Sequence, residues 1–226
     1  DKYLLGKEIE VDAICDGQEV LIPGIMQHIE RAGVHSGDSM AVFPAHDLND
    51  CIHDKVVDYT VRLALELKVK GLINIQFVEY DNELYVLEVN PRSSRTVPFI
   101  SKITGIPMVK LATKIMLGKT LADLGYSGGL FKTPAFYAVK VPVFSFNKLH
   151  QVDINLGPEM KSTGEVLGIS HNLNSAIYKG LQAAGVEVKG AGTMVATISD
   201  KDKTEAVPLI AEFASLGFKI FATEGT

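Results

Sequence analysis

The stretch GLINIQFVEYDNELYVLEVNPR, residues 71–92, holds two apolar runs, Leu72–Val78 and Leu84–Val89, on either side of Asp81-Asn82. An Asp-Asn pair tolerates positive φ, so the pattern predicts an antiparallel hairpin. Pro91 cannot donate to a ladder and ends the second strand. Alternation along the strands puts Ile75, Phe77, Leu87 and Val89 on one face and Gln76, Glu88 and Asn90 on the other. Three oxygen-bearing side chains on one face suit a hard cation such as magnesium. One carboxylate and two amides make a weak cage alone, but they suit a metal whose main ligand is a nucleotide triphosphate. Arg92 would then face the phosphate that migrates and stabilise its charge. The spacing fits equally well with Glu88 and Asn90 capping a strand end and Arg92 pairing with a surface acid.

Upstream of the hairpin, residues 7–14 alternate charged and apolar side chains, as a half-buried strand does. Asp16-Gly17 and residues 19–22 turn it into a second hairpin. Residues 24–30 read as a third strand, 31–39 as a polar loop and 41–44 as a short strand. From Asn49 to Lys68, Val56, Val57, Val61, Leu63, Ala64 and Leu67 keep a helical period that Gly71 closes. Downstream, residues 96–117 hold two helical stretches separated by Gly105-Ile-Pro107, with Pro107 suited to a first helical turn. Residues 128–170 are rich in Gly, Pro and aromatics, with a strand over 136–141. The aromatic stretch 131–146 suits a contact surface, a homo-oligomer's included, as well as it suits core. Residues 173–184 return to helical period and Gly185 ends them. After a Gly190-Ala-Gly192 linker come a strand (193–199), a helix (202–216) capped by Gly217, and a strand (218–222). That is a βαβ unit, the start of a separate parallel-sheet domain. The class is α+β: an antiparallel sheet with helices, then the start of an α/β domain.

The net charge is −5 with no long basic run, which argues against nucleic acid as a partner. Cys15 and Cys51 lie far apart and match no metal spacing, so a reduced, cytoplasmic setting is expected. No signal peptide is visible, and no apolar run reaches the ~18 residues a membrane span needs. The chain starts at Asp1 in what reads as an interdomain strand and stops at Thr226 just after a strand, so a piece of a longer protein is expected.

The run from Glu88-Val-Asn-Pro-Arg92 through Ser93-Ser-Arg-Thr-Val-Pro-Phe-Ile-Ser-Lys-Ile-Thr-Gly-Ile-Pro107 closely resembles the ATP-grasp region of carbamoyl-phosphate synthetase large subunits. Gly33-Val-His-Ser-Gly-Asp-Ser39 and Gly157-Pro-Glu-Met-Lys-Ser-Thr-Gly-Glu165 match as well, so the resemblance runs over nearly the whole chain. That family carries two homologous halves: the first makes carboxyphosphate from bicarbonate, the second phosphorylates carbamate. The Arg95-Thr-Val-Pro-Phe version, followed by a linker and a small terminal domain, resembles the second half. The resemblance implies three regions: 1–127 as the C-terminal part of an ATP-grasp domain, 128–190 as a connecting region, and 191–226 as the start of a regulatory domain similar to methylglyoxal synthase.

The resemblance also implies roles. Gln76, Glu88 and Asn90 would bind magnesium or manganese, with Gln76 and Glu88 also touching ATP. Arg92 would act on the transferred phosphoryl group. Glu8 would hold the ribose hydroxyls, Lys2 and Leu4 would lie at the adenine hinge, and Gly33, Val34, His35 and Ser36 would form a loop near the nucleotide. Lys203, Thr223 and Thr226 match positions that bind an anionic effector, as helix starts and strand ends favour. Implied partners are a glutaminase small subunit, the remainder of the large subunit and a small-molecule effector, in pyrimidine or arginine synthesis. Because the opposing subdomain would precede Asp1, this chain alone is expected to make no carbamoyl phosphate. His28, His46, His53, His150 and His171 lie in no comparable motif, and Ile25–Arg31 reads as a strand with polar flanks. Two rivals stand beside this reading: another ATP-grasp ligase, against which Pro91-Arg-Ser-Ser-Arg95 discriminates, and a non-catalytic regulatory or oligomerisation module.

Overall fold

The computed structural model describes residues 3–146, 153–187 and 189–226. The chain forms two compact units, 1–185 and 186–226.

Unit 1 is built on one sheet of nine strands among the described residues, with β6, β5, β1, β3, β4, β8 and β9 side by side. The strands are β1 (Lys7–Cys15), β2 (Val20–Ile22), β3 (Ile25–Arg31), β4 (Ala41–Phe43), β5 (Gly71–Tyr80), β6 (Glu83–Asn90), β7 (Gly129–Leu130), β8 (Tyr137–Val143) and β9 (Gly164–Ser170). Neighbours pair antiparallel except β2 with β7. The hairpin of residues 71–92 forms as expected, and Asp81 and Asn82 both take positive φ.

Helices cover both faces of the sheet. α1 (Asp50–Glu66) starts where Asn49 Oδ1 accepts the Ile52 N–H at 2.9 Å. It packs Ile52, Val56 and Ala64 on Ile9, Val11 and Ala13 of β1 and on Ile73, Ile75 and Phe77 of β5. On the opposite face, α2 (Val97–Thr104) and α3 (Met108–Met116) cover Ile14, Met26, Phe43 and Ala138. α4 (Leu173–Ala183) lies on β8 and β9 through Ala176, against Val139 and Val141. There Gly168 and Gly180 touch backbone to backbone: a Cβ on Gly168 would fall 2.1 Å from the Ala176 carbonyl.

Several details differ from the sequence reading. α1 ends at Glu66 with Leu67 as its cap, after which Lys68 takes the left-handed turn at φ 54°; Gly71 instead opens β5 at φ 117°. Pro107 is the cap residue of α3 and precedes its first turn. β1 is not half-buried: Glu8 to Cys15 are buried on both faces. The stretch 128–190 supplies β7, β8, β9 and α4 to unit 1. Phe131 and Phe136 pack against the layer under α2 and α3.

Unit 2 contains β10 (Thr193–Ala196), α5 (Lys203–Ser215) and β11 (Lys219–Ala222), with β10 and β11 parallel, as the βαβ reading requires. Among the described residues no helix is long and apolar enough to cross a membrane.

Candidate active site

β1 alternates Glu8, Glu10, Asp12 and Ile14 on one face with Ile9, Val11, Ala13 and Cys15 on the other. The aliphatic face meets α1. On the second face α2 and α3 cover Ile14, and beyond their edge the same face turns acidic. Glu8, Glu10 and Asp12 are each only 2–3% exposed. Buried charge must be paired or hydrogen-bonded, and each carboxylate here has partners. His28 on β3 lies between Glu8 and Glu10, with Nε2 3.1 Å from Glu10 Oε2 and Nδ1 3.5 Å from Glu8 Oε1. Asn74 on β5 donates through Nδ2 to Glu10 Oε1 at 2.9 Å and to Asp12 Oδ1 at 3.1 Å. Burial works to raise the Glu10 carboxyl, but the His28 hydrogen bond and charge, with Lys140 and Asn74, outweigh it and hold it at about 2. Burial and the neighbouring Glu10 charge push Asp12 up to about 6, against hydrogen bonds from Ser94, Thr96 and Asn74. Glu8 is raised, chiefly by burial.

The hairpin β5–β6 supplies the next wall. Gln76 and Glu88 are paired across the strands. Glu88 Oε1 accepts from Gln76 Nε2 at 3.0 Å and from Asn90 Nδ2 at 2.8 Å, so the three side chains converge on one point. The ladder shifts register between Gln76 and Phe77, and Phe77 faces Val86. The bulge removes Leu87 from the core face that strict alternation assigned to it. Leu87 is 50% exposed and lines a cleft with Glu8 and Glu88.

Past Pro91 the chain runs through Arg92, Ser93, Ser94, Arg95 and Thr96 into α2. Ser94 Oγ donates to Asp12 Oδ1 at 2.6 Å, and Thr96 Oγ1 donates to Asp12 Oδ2. Thr96 is the cap residue of α2 but its hydroxyl caps no helix N–H; a cap bond of that kind normally contributes about 1 kcal/mol. The Asp12 carboxylate instead sits at the positive end of the helix. Arg92 Nη1 donates to the Ser93 carbonyl at 2.9 Å and Arg95 Nη1 to Ser162 Oγ at 3.3 Å.

A third wall comes from residues 33–39 and 157–163. Asp38, fully buried, accepts the Lys161 N–H at 2.7 Å and the Ser162 N–H at 2.8 Å. The Ser162 hydroxyl donates to the Gly37 carbonyl at 2.9 Å and the His35 N–H to the Gly157 carbonyl at 2.8 Å. Burial would raise Asp38, but the Ser162 hydroxyl and the two amides hold its carboxyl below the ordinary value. His35 Nδ1 accepts the Gly37 N–H at 3.0 Å, which leaves Nε2 to carry the ring proton. Lys140 on β8 is 1% exposed and donates to the Ser36 carbonyl at 2.8 Å.

These walls enclose two adjoining spaces that share His35, Ser36, Gln76 and Glu88. One, about 220 Å³, is lined by Arg92, Arg95, Lys140, Asn74, Ser94, Thr96 and Met160. The other, about 330 Å³, is lined by Tyr3, Leu4, Glu8, Gly33, Val34, Val78 and Leu87. The first presents three cations and several hydroxyls, suited to an anion beside a metal-binding corner. The second presents an apolar edge and the carboxylates of Glu8 and Glu88, suited to a nucleoside.

Of the residues singled out from sequence, the structure brings Leu4, Glu8, Gly33, Val34, His35, Ser36, Gln76, Glu88 and Arg92 to these two spaces, with Asn90 bonded to Glu88. Lys2 lies outside the described residues. In unit 2, Lys203, Thr223 and Thr226 gather at one end of the strands. Lys203 Nζ bonds Asp200 at 2.7 Å and the Gly225 carbonyl, and the Thr223 and Thr226 hydroxyls lie 2.7 Å apart. Sequence reasoning missed Glu10, Asp12, His28, Asn74, Lys140 and the pair Ser94 and Thr96. The Glu8-x-Glu10-x-Asp12 spacing was the available signal, since three acids two apart on one strand must share a face.

The architecture is that of the ATP-grasp class. A biotin carboxylase domain of a single-chain bacterial carboxylase superposes with TM-score 0.57 at 18% identity, over 74% of this chain and 43% of that one. The urea amidolyase of K. lactis gives TM-score 0.61 at 17% identity, over 79% and 12%. Within that class, residues 1–124 match the model of the family described as carbamoyl-phosphate synthase L chain, ATP binding domain, and the chain belongs to this family. It is 58% identical over 226 residues to the carbamoyl phosphate synthase large chain of Lachnoclostridium phytofermentans, covering 100% of this chain and 21% of that protein. The large chain of Clostridium botulinum is 56% identical over 227 residues, again with 100% and 21% covered. The chain thus spans about a fifth of the length of these curated relatives.

Proposed function

We propose that unit 1 is one wall of the site at which a carbamoyl phosphate synthase large chain phosphorylates carbamate with ATP, giving carbamoyl phosphate and ADP. The observation that carries this reading is the adjacency of the Gln76–Glu88–Asn90 corner to Arg92, Arg95 and Lys140 across one cavity.

Glu88 and the amides of Gln76 and Asn90 already gather at one oxygen, and each amide carries an oxygen of its own. That donor set fits magnesium or manganese with nucleotide phosphates and water completing the shell. When bound, the ion would neutralise phosphate charge at the transferring group. Arg92 would hold the transferred phosphoryl group through charge-assisted hydrogen bonds. His35, with Nδ1 engaged by Gly37, would offer Nε2–H to a phosphate oxygen. Glu8 would accept from ribose hydroxyls, with Leu4 beside the base and Lys2 at the hinge. Gly33, Val34 and Ser36 would cover the nucleotide. The opposing nucleotide-binding wall would come from the remainder of a large chain, so this chain alone would make no product.

In that longer protein a glutaminase small subunit would deliver nitrogen, and the whole would work in the cytoplasm for pyrimidine or arginine synthesis. Lys203, Thr223 and Thr226 would contribute to a site for an anionic effector. The test is the reverse reaction in a full-length large chain, ATP formation from ADP and carbamoyl phosphate. Arg92→Ala should lower its kcat by on the order of 100-fold, as loss of a charge-stabilising group does. Wild-type rates in that variant would overturn the reading.

A further inference from the structure

We propose that Asp12 is a positioning residue for Arg92 and Arg95: its buried carboxylate gathers the hydroxyls of Ser94 and Thr96 and so fixes the loop that carries both guanidinium groups. The inference rests on the phosphoryl-transfer reading above.

Asp12 lies beneath the cavity floor that Asn74, Ser94 and Thr96 line. It therefore acts through those residues. Its own place is fixed, because β1 is hydrogen-bonded to β5 on one side and to β2 and β3 on the other. Two of the three donors to Asp12 come from the six residues, 91–96, between β6 and α2 that include both arginines. Backbone bonds hold this loop at its ends, Arg92 N–H to the Asn90 carbonyl at 2.7 Å and Ile100 N–H to the Thr96 carbonyl at 2.9 Å. Between them the side-chain bonds to Asp12 tie it to the sheet. The two hydroxyl oxygens lie 2.8 Å apart, so Asp12, Ser94 and Thr96 form one compact cluster. Thr96 stands at the start of α2, where its hydroxyl would ordinarily accept from the helix, yet it donates to Asp12. Gln76, Glu88 and Asn90 sit on β5 and β6 and do not depend on this tie. Loss of the tie should therefore misplace the arginines and leave nucleotide binding intact.

The test uses a full-length large chain carrying Thr96→Val, Thr96→Ser, Asp12→Asn or Arg92→Ala, assayed for ATP formation from ADP and carbamoyl phosphate. Thr96→Val keeps the shape of the side chain and removes the donor. Its kcat should fall roughly 10- to 100-fold, the cost of misplacing a reacting group by about 1 Å, with KM for ADP changed less than about twofold. Thr96→Ser restores the donor and should return kcat to within about threefold of wild type. Asp12→Asn should fall as Thr96→Val does; if it does not fold, the Thr96 pair decides. A wild-type kcat in Thr96→Val, a Thr96→Ser as poor as Thr96→Val, or a KM rising as far as kcat falls would each overturn the proposal. If Arg92→Ala is impaired while Thr96→Val is not, the positioning role alone fails. If Arg92→Ala also matches wild type, the phosphoryl-transfer reading fails with it.

Discussion

Replacing Asp38 by alanine removes the acceptor of two backbone amides, those of Lys161 and Ser162, and releases the segment that forms the third wall of the site. Ser162 is 6% exposed and Lys161 half-buried, so water replaces the lost bond poorly at the first and partly at the second. A buried donor left unpaired costs about 1–3 kcal/mol, and bonds to a charged acceptor about 1.5–3 kcal/mol. Together these set the loss at about 3–5 kcal/mol. Asp38→Asn keeps one acceptor oxygen but turns an NH2 toward the other amide, so about 2–3 kcal/mol is expected. Urea unfolding of this chain followed by circular dichroism reads both values by linear extrapolation. The pH dependence has a defined sign. The Asp38 carboxyl is held below its ordinary 3.8 in the folded chain. Its contribution is therefore present above 3.8 and lost as pH falls through the lower folded value. Asp38→Ala should show a flatter acid limb. Two variants within about 1 kcal/mol of wild type at neutral pH would refute the reasoning.

Three further outcomes are expected. Gly168→Ala places a Cβ 2.1 Å from the Ala176 carbonyl oxygen and 2.5 Å from the Gly180 nitrogen, both backbone atoms that cannot yield cheaply. It should lower stability by about 2 kcal/mol or more, or Tm by roughly 4–8 °C in calorimetry, and an unchanged Tm would contradict the contact. Titration of magnesium-ATP into this chain by calorimetry should show binding that Glu88→Ala weakens by at least about tenfold; equal binding in both, or none in either, would favour a non-catalytic module. Asp12 stands at about 6 in the folded chain against an ordinary 3.8. The folded state therefore keeps its proton where the unfolded one releases it, and stability should fall by up to about 3 kcal/mol as pH rises from 4 to 6. Asp12→Asn should lack this slope. The Glu10 contribution has the opposite sign and a lower window, between 4.5 and about 2, so the two are separable in a pH series.

The central hairpin was legible because period-2 alternation and an Asp-Asn turn are local signals, and they placed Gln76, Glu88 and Asn90 on one face. Leu87 escaped because a bulge shifts the period by one residue without any local composition cue. The limits of α1 were misread for a related reason: Lys68 took the left-handed position that Gly71 was expected to fill. The acidic face of β1 was visible as alternation, yet alternation does not say whether a polar face meets water or other side chains. His28 and Asn74 meet Glu8, Glu10 and Asp12 there, and both come from other strands, 18 to 64 positions away in the chain. Lys140 stood hidden between Val139 and Val141, where an apolar strand gives no hint that one side chain reaches a loop 104 positions earlier. The motif residues were legible through resemblance; their supports were not, since hydroxyls such as Ser94 and Thr96 acquire meaning only from what they face.

The two faces of β1 have a consequence for tolerance of insertions and deletions. One face carries Ile9, Val11 and Ala13 into the core and the other carries Glu8, Glu10 and Asp12 into the site, each two residues apart. Adding or removing one residue within this strand would exchange them, sending carboxylates under α1 and aliphatics to the cavity. Two-residue changes would keep the faces but shift every acid by one partner along β5. Length in residues 7–15 is therefore under double constraint, whereas the exposed turn at Gly17–Gln18 is free of it. A scan of single-residue insertions should divide sharply between those neighbouring sites, and chain length in this strand becomes as much a determinant of the site as the identity of its side chains.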